Sequence, residues 1–309
     1  MNRTSISWTD ATWNPVTGCT KISPGCKLCY ADRLFLRTYS GMCKCGHPLS
    51  EHVLGRWPHC GHAACSCATF VQRQFTDVRT HPDRLEQPVH WKKGKRIFVN
   101  SMSDLFHEDV PFEFIDLIFA VMAVTPQHTY QILTKRAVRM LEYVSYVNEY
   151  DLSRARSEIC GINRYSATPW PLPNVWLGVS VENPDQLFRV DTLLEIPNAM
   201  PWVSYEPALA GVNFAPYFEN GITQRWDRHL RWLVFGGESG PGARPCNLKW
   251  ARDVRDQCKA ARVPFFFKQG GRTAYREVGG TIYHYGFRDR KGEDLYEIPE
   301  DLRIREFPK

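Results

Sequence analysis

The sequence predicts an α/β chain folded as a partial (β/α) barrel, with a small Cys/His-rich module inserted near its start. Three observations carry that expectation. From residue 96 onward short apolar runs alternate with segments of helical period, each run stops at polar residues, and eight of the eleven cysteines crowd into residues 19 to 67. Near-continuous apolar strands alternating with amphipathic helices read as a parallel sheet covered by helices.

The elements follow in order. A first strand is expected within Trp8 to Gly18 and a first helix over Ala31 to Thr38. Further strands are expected at Ile97–Asn100, Tyr130–Thr134, Val175–Ser180, Trp202–Glu206, Trp232–Gly236 and Pro264–Lys268, for six or seven in all. Helices are expected at Phe112–Val124, Arg136–Tyr150, Pro184–Leu194 and Leu248–Arg262. The strands end in Asn100-Ser101, Thr134-Lys135-Arg136, Ser180 with Glu182, Ser204 with Glu206, Gly236-Gly237-Glu238 and Lys268-Gln269. In an α/β barrel these ends form the active-site face, so they should meet at one mouth. Residues 40–90 interrupt the alternation, and Asp151–Asn174, with Pro169, Pro171 and Pro173, reads as a loop that suits a lid. The expected organisation is a barrel over 1–39 and 91–270, an inserted module over 40–90, and a C-terminal extension over 271–309 forming a hairpin or an irregular cover.

Composition narrows the class. A chain of 309 residues is long enough for one barrel with an insertion. No apolar run approaches the ~20 residues that cross a bilayer, and Met1-Asn2-Arg3-Thr4-Ser5 lacks a signal core, so no membrane partner is expected and the expected location is cytoplasmic. Cysteines at metal-ligand spacing favour metal sites in a reducing compartment over disulfides. A net charge of +6 suits a nucleic-acid partner and an ordinary solvated surface equally.

Cys19, Cys26 and Cys29 share one loop, Gly18 to Tyr30. Three thiolates without a fourth leave one corner of an iron–sulfur cube open for a substrate or cofactor. The other reading is a structural zinc loop, since C-x₂-C is half of a zinc knuckle, but a closed zinc site needs a fourth ligand from far away. A second constellation, residues 43–67, holds five cysteines and four histidines with almost no aliphatic core, and such a segment depends on a metal to fold. Mixed Cys/His pairs suit tetrahedral zinc, with Cys45, His52, Cys60 and Cys65 as preferred ligands and Cys43 and Cys67 as alternates. Stapling the insertion and contacting nucleic acid are equal readings of that module.

Taken together, Ser7 to Cys19, Val99 to His107, Leu133 to Arg136, Trp176 to Asn183, Glu206-Pro207, Gly236 to Pro241 and Phe267 to Gln269 resemble the phage and bacterial three-Cys-motif family. That family is regarded as radical S-adenosylmethionine (SAM)-like and is of uncertain function. The resemblance runs from near residue 5 to about 270, apart from the 40–90 insertion. It implies a partial barrel of the radical SAM type in which Cys19, Cys26 and Cys29 hold a [4Fe-4S] cluster. The gap of six residues before Cys26 is wider than the three of the common pattern. Strand-end residues would then bind SAM: Asn100, Ser101, Ser103 and Asp104 after the second strand, then Lys135, Ser180, Glu206, Gly236, Gly237, Glu238 and Lys268. Lys135, Arg136 and Lys268 at the mouth would clamp an anionic substrate or the SAM carboxylate. Bland alternatives stand beside these, a tight βα turn for Gly236-Gly237 and surface ion pairs for the cations. The expected activity is reductive SAM cleavage by way of an external electron donor, with hydrogen abstraction from a substrate of the nucleobase, nucleotide or nucleic-acid class. A zinc-dependent nucleic-acid-binding protein without catalysis is the second reading. A metal-dependent hydrolase is disfavoured by the lack of Asp/His pairs at two-metal spacing.

Overall fold

The structure is a computed structural model that describes residues 4–39, 41–43, 45, 47–48, 52–53, 59–60, 71–147, 169–197, 199–218 and 228–308, with backbone alone at 52–53 and 59–60. Seven strands form one sheet: β1 (Ala11–Trp13), β2 (Arg96–Val99), β3 (Thr129–Thr134), β4 (Val175–Ser180), β5 (Met200–Tyr205), β6 (Trp232–Gly236) and β7 (Phe265–Gln269). Every neighbouring pair is parallel and spatial order equals chain order. Crossovers of one hand in an unreversed order lay the helices on one face and curl the sheet around the other. β1 and β7 are not paired with each other, so the result is a half-barrel.

The covering helices are α1 (Tyr30–Tyr39), α2 (Phe112–Val124), α3 (Ala137–Tyr146), α4 (Phe188–Leu193) and α5 (Leu248–Ala261). Boundaries move by a few residues from the sequence expectation. The first strand splits at Asn14-Pro15 into β1 and a Val16–Thr17 segment paired with Arg79–Thr80, because Pro15 has no N–H for the ladder. The third helix stops at Tyr146, and a 3₁₀ turn at Pro184–Gln186 precedes α4. The C-terminal extension contains the expected hairpin, Ala274–Val278 against Thr281–His284. Its two-residue turn is Gly279-Gly280, both at positive φ as a type I′ turn requires. Among the described residues no helix is long and apolar enough to cross a membrane.

Both faces of the sheet are apolar, which is why the strands read as nearly continuous runs. Ile97, Val99, Ile132, Leu177, Val203 and Phe235 pack outward under the helices in one large buried cluster. On the concave face Trp8, Phe98, Trp202, Trp232, Val234 and Phe266 form a second cluster with Trp176 and Phe307 against it. Trp202 lies flat over Gly178, where a Cβ would come 2.3 Å from the indole. These rings plug the N-terminal end of the half-barrel. Closer to the C-terminal strand ends the concave face turns polar, beginning with Ser180 and Ser204, which are in register.

The last residues seal what the sheet leaves open. Phe267 N donates to Ile304 O at 2.8 Å and Glu306 N to Phe265 O at 3.0 Å, so the tail pairs along the free edge of β7. Phe307 then lies 5.2 Å from Phe266, 5.5 Å from Trp232 and 3.9 Å from the Arg96 guanidinium, spanning the base from β7 to β2.

Candidate functional site: a cysteine loop over the strand ends

The cysteine loop leaves the C-terminal end of β1. Gly18 sits at φ +93°, and a Cβ there would meet Asp77 O at 2.6 Å, so the chain turns tightly into Cys19. Cys19 N donates to Phe75 O at 2.8 Å. Cys26 closes a single 3₁₀ turn, Pro24–Cys26, and Cys29 immediately precedes α1. All three thiols are free and half-buried. Cys19 and Cys29 pack against one small cluster of Ala31, Phe35 and Phe75. Burial pushes the Cys19 thiol up to about 12, the Asp104 and Cys26 charges add to the rise, and Arg136 opposes it. Among the described residues no three His, Cys, Asp or Glu side chains are close enough for a single ion. A cube, by contrast, needs its three sulfurs at three separate corners, and half-buried free thiols on one loop suit that donor pattern.

Strand ends hold this loop from below. Glu182, two residues beyond β4, is wholly buried. It pairs with Arg189 at 3.0 Å and Lys135 at 3.3 Å, and accepts from Ser23 Oγ at 2.7 Å. Ser23 Oγ is also 3.6 Å from Cys26 Sγ. Gly25 packs on the same carboxylate, since a Cβ would come within 2.3 Å of Oε1. Sequence reading placed Glu182 among the strand-end residues without giving it a role. Its neighbours Ser23 and Gly25 lie 157 or more residues earlier in the chain, out of reach of any spacing rule.

Asp104 follows β2. Its Oδ1 accepts from Thr134 Oγ1 at 2.7 Å and Phe106 N at 3.0 Å, its Oδ2 from Lys135 N at 3.1 Å and Arg136 Nη1 at 3.3 Å. The carboxylate thus ties the end of β2 to the end of β3. Asn100, at φ 60°, accepts from Val16 N at 3.2 Å, while its Nδ2 is buried without a partner. Ser101 Oγ donates to Asn14 Oδ1 at 3.1 Å and Ser103 Oγ to Val16 O at 2.9 Å, so both hold the exit of β1.

On the far side of the mouth Lys268 Nζ grips both oxygens of Glu206, at 2.6 and 2.8 Å. Gly236 faces Glu206, where a Cβ would meet Cδ at 2.8 Å, and Gly237 lies against Gly270 O, where it would meet the carbonyl at 2.2 Å. Backbone contact therefore requires glycine at 237, whereas at 236 a Cβ would have to displace the Glu206 side chain. Glu238 forms a bidentate pair with Arg244 at 2.6 and 3.0 Å, whose hydrogen bonds and charge hold its carboxyl below the usual range against the upward push of burial. Ser180 lies beside Ser204, whose Oγ is buried without a partner. Tyr30, which the sequence did not single out, is 48% exposed, donates to Ser101 O at 2.9 Å and stands within electrostatic reach of Cys29 and Glu206.

Arg136 was grouped with Lys135 and Lys268 as a clamp for an anion. The structure corrects this, because its N–H groups are already taken by Glu108, Asp104, Thr20 and Cys19. Of the expected zinc ligands, Cys65 and Cys67 lie outside the described residues. His52 and Cys60 are backbone partners in a short antiparallel pair. Cys45 Sγ is 3.5 Å from His47 Nδ1, and Cys43 Sγ accepts from Val71 N at 3.4 Å. A cavity of about 1150 Å³ lined by Met200, Arg231, Pro264 and Phe265 lies at the N-terminal strand ends, opposite the cysteine loop.

The family model described as protein of unknown function (DUF5131) matches residues 3–293. No curated protein matches the chain. Among solved structures, a spore photoproduct lyase complexed with dinucleoside spore photoproduct is similar at 12% identity over 94% of this chain and 71% of that one, with a TM-score of 0.39. A cysteine-to-serine mutant of spore photoproduct lyase is similar at 12% identity over 98% and 74%, also with a TM-score of 0.39.

Proposed function

The chain belongs to the DUF5131 family of proteins of unknown function, and from its own site we propose that it is a radical SAM enzyme, with Cys19, Cys26 and Cys29 as the three protein ligands of a [4Fe-4S] cluster. The observation that carries the reading is three free, half-buried thiols on one loop, set over the polar C-terminal ends of an unreversed parallel sheet. Held by these three thiolates with one iron corner open, such a cluster would supply the electron for reductive cleavage of SAM and so hydrogen-atom abstraction from a substrate.

The protein's share is binding, orientation and exclusion of water. Lys268 and Lys135 offer ammonium groups to the SAM carboxylate by exchanging part of their hold on Glu206 and Glu182. Glu206 accepts from the SAM amine or a ribose hydroxyl. Asn100 Nδ2 and Ser204 Oγ, both buried and unpartnered, are donors awaiting an acceptor, and Ser180 lies beside the second. Gly236 and Gly237 admit close backbone approach, with Glu238 braced by Arg244 behind them. Ser101, Ser103 and Asp104 act through the strand exits they fix. The aromatic plug of Trp8, Trp202 and Trp232 packs the base beneath the strand ends and keeps that side apolar.

An external electron donor is required. The proposed substrate class is a nucleobase, free or in nucleic acid, with which the net charge of +6 and the Cys/His module are compatible. That module takes zinc through Cys45, His52, Cys60 and Cys65, with Cys43 and Cys67 as alternates; the register of His52 opposite Cys60 supports it.

The test is anaerobic reconstitution with iron and sulfide, then dithionite and SAM, with 5′-deoxyadenosine as the readout. A brown protein that forms 5′-deoxyadenosine, and a Cys26→Ala variant that forms none while keeping its zinc, are expected. A colourless protein whose cysteine loop holds only zinc returns the reading to a nucleic-acid-binding scaffold.

A further inference from the structure

One guanidinium is aimed at a sulfur of the cysteine loop. Arg136 stands between β3 and α3 with only 4% of its side chain exposed. Nε donates to both oxygens of Glu108, at 3.0 and 2.9 Å. Nη1 reaches Asp104 Oδ2 at 3.3 Å and Cys19 Sγ at 3.6 Å, and Nη2 reaches Thr20 Oγ1 at 2.8 Å and Thr20 O at 3.4 Å. A guanidinium has five N–H groups in one rigid plane, so partners on four of them set the direction of the fifth. Thr20 is braced from its other side by His107 Nε2 at 2.8 Å. The ring's Nδ1 accepts from Asp109 N at 3.1 Å, which assigns the proton to Nε2.

We propose that Arg136 is a positioning residue whose N–H to Cys19 Sγ makes the cluster easier to reduce; the inference rests on the cluster reading above. The physical reason is that a donor to a ligating thiolate draws electron density from the sulfur, which favours the more negative, reduced state over the oxidised one. The positive charge acts in the same direction. Asp104 and Glu108 supply two carboxylates that hold the guanidinium in plane. Removing the cation while they remain leaves the site more negative, so both effects lower the potential.

The experiment is an EPR-monitored redox titration of anaerobically reconstituted full-length protein, poised with dithionite, for wild type, Arg136→Gln, Arg136→Lys and Glu108→Gln. At the potential that half-reduces the wild-type cluster, Arg136→Gln should show a reduced-to-oxidised ratio at least tenfold lower, about 60 mV for one electron. Arg136→Lys keeps the charge without the fork and should fall between the two. Glu108 is 61% exposed, so solvent screens its own charge and Glu108→Gln acts chiefly by loosening the guanidinium; it should lower the ratio less, in the same direction. A ratio equal to wild type in Arg136→Gln overturns the proposal. If Arg136→Gln takes up no cluster, unchanged ratios in the other two variants overturn it. A wild-type protein that assembles no cluster removes the function reading and this inference together, whereas a wild-type cluster with unmoved variants removes the inference alone.

Discussion

Glu182 is the side chain on which the cysteine loop rests, and nothing about it is exposed. Replacing it with Gln leaves Arg189, itself 2% exposed, as an uncompensated buried charge. Breaking such a pair by removing one partner costs about 3–5 kcal/mol. Urea unfolding of Glu182→Gln should show a loss of that order, and limited proteolysis should cut the Ser23 to Cys29 loop faster than in wild type. Histidines set a second residue-scale expectation. Burial first, then the Arg84 and Arg73 charges, hold His81 at about 4, and His107 is lowered by burial and Arg136. Both are therefore neutral in the fold and take up protons on unfolding near the ordinary value of about 6.5. The unfolded chain binds more protons between those values, so stability is full above about 6.5 and declines as pH falls toward 4. Thermal melts from pH 7.5 to 4.5 should show a falling Tm, and His81→Gln should flatten part of that slope.

Two elements make separable contributions. Strand β4 passes beneath Trp202 at Gly178, and a methyl there has no flexible neighbour to displace. Gly178→Ala should cost about 1–3 kcal/mol by overpacking, read as a lower urea midpoint. The inserted module, for which a separate zinc ligand set is proposed, adds none of the seven strands. Replacing residues 41–70 with a short Gly/Ser linker should remove bound zinc while leaving the cluster and 5′-deoxyadenosine formation intact. Loss of the cluster on excision would mean that Cys43 or another module cysteine completes the N-terminal site, which would close its open corner.

At the scale of the molecule, an open parallel sheet leaves a hydrogen-bonding edge, and this chain covers it with its own tail. Removing residues 304–309 uncovers β7 and takes Phe307 from the aromatic plug. The truncated protein should aggregate at concentrations where the full chain stays monodisperse by light scattering, and should melt several degrees lower.

What the sequence determined by itself is whatever depends on neighbours in the chain. Strand and helix periods, the polar strand ends and the cysteine spacing all act over a few residues, so the architecture and the candidate loop were legible. Helix ends were less so: the third helix stops at Tyr146 although Val147 is buried in the core, and a 3₁₀ turn precedes Phe188. The tertiary structure alone decided which polar groups are free. Arg136 looked like an available cation and is fully bonded, to partners that include Cys19 at a separation of 117 residues. Ser23 finds Glu182 across 159 residues, and Trp232 Nε1 finds Glu306 O across 74. A charge in the sequence carries no record of its partner, because pairing is set by where the curled sheet brings distant strand ends together.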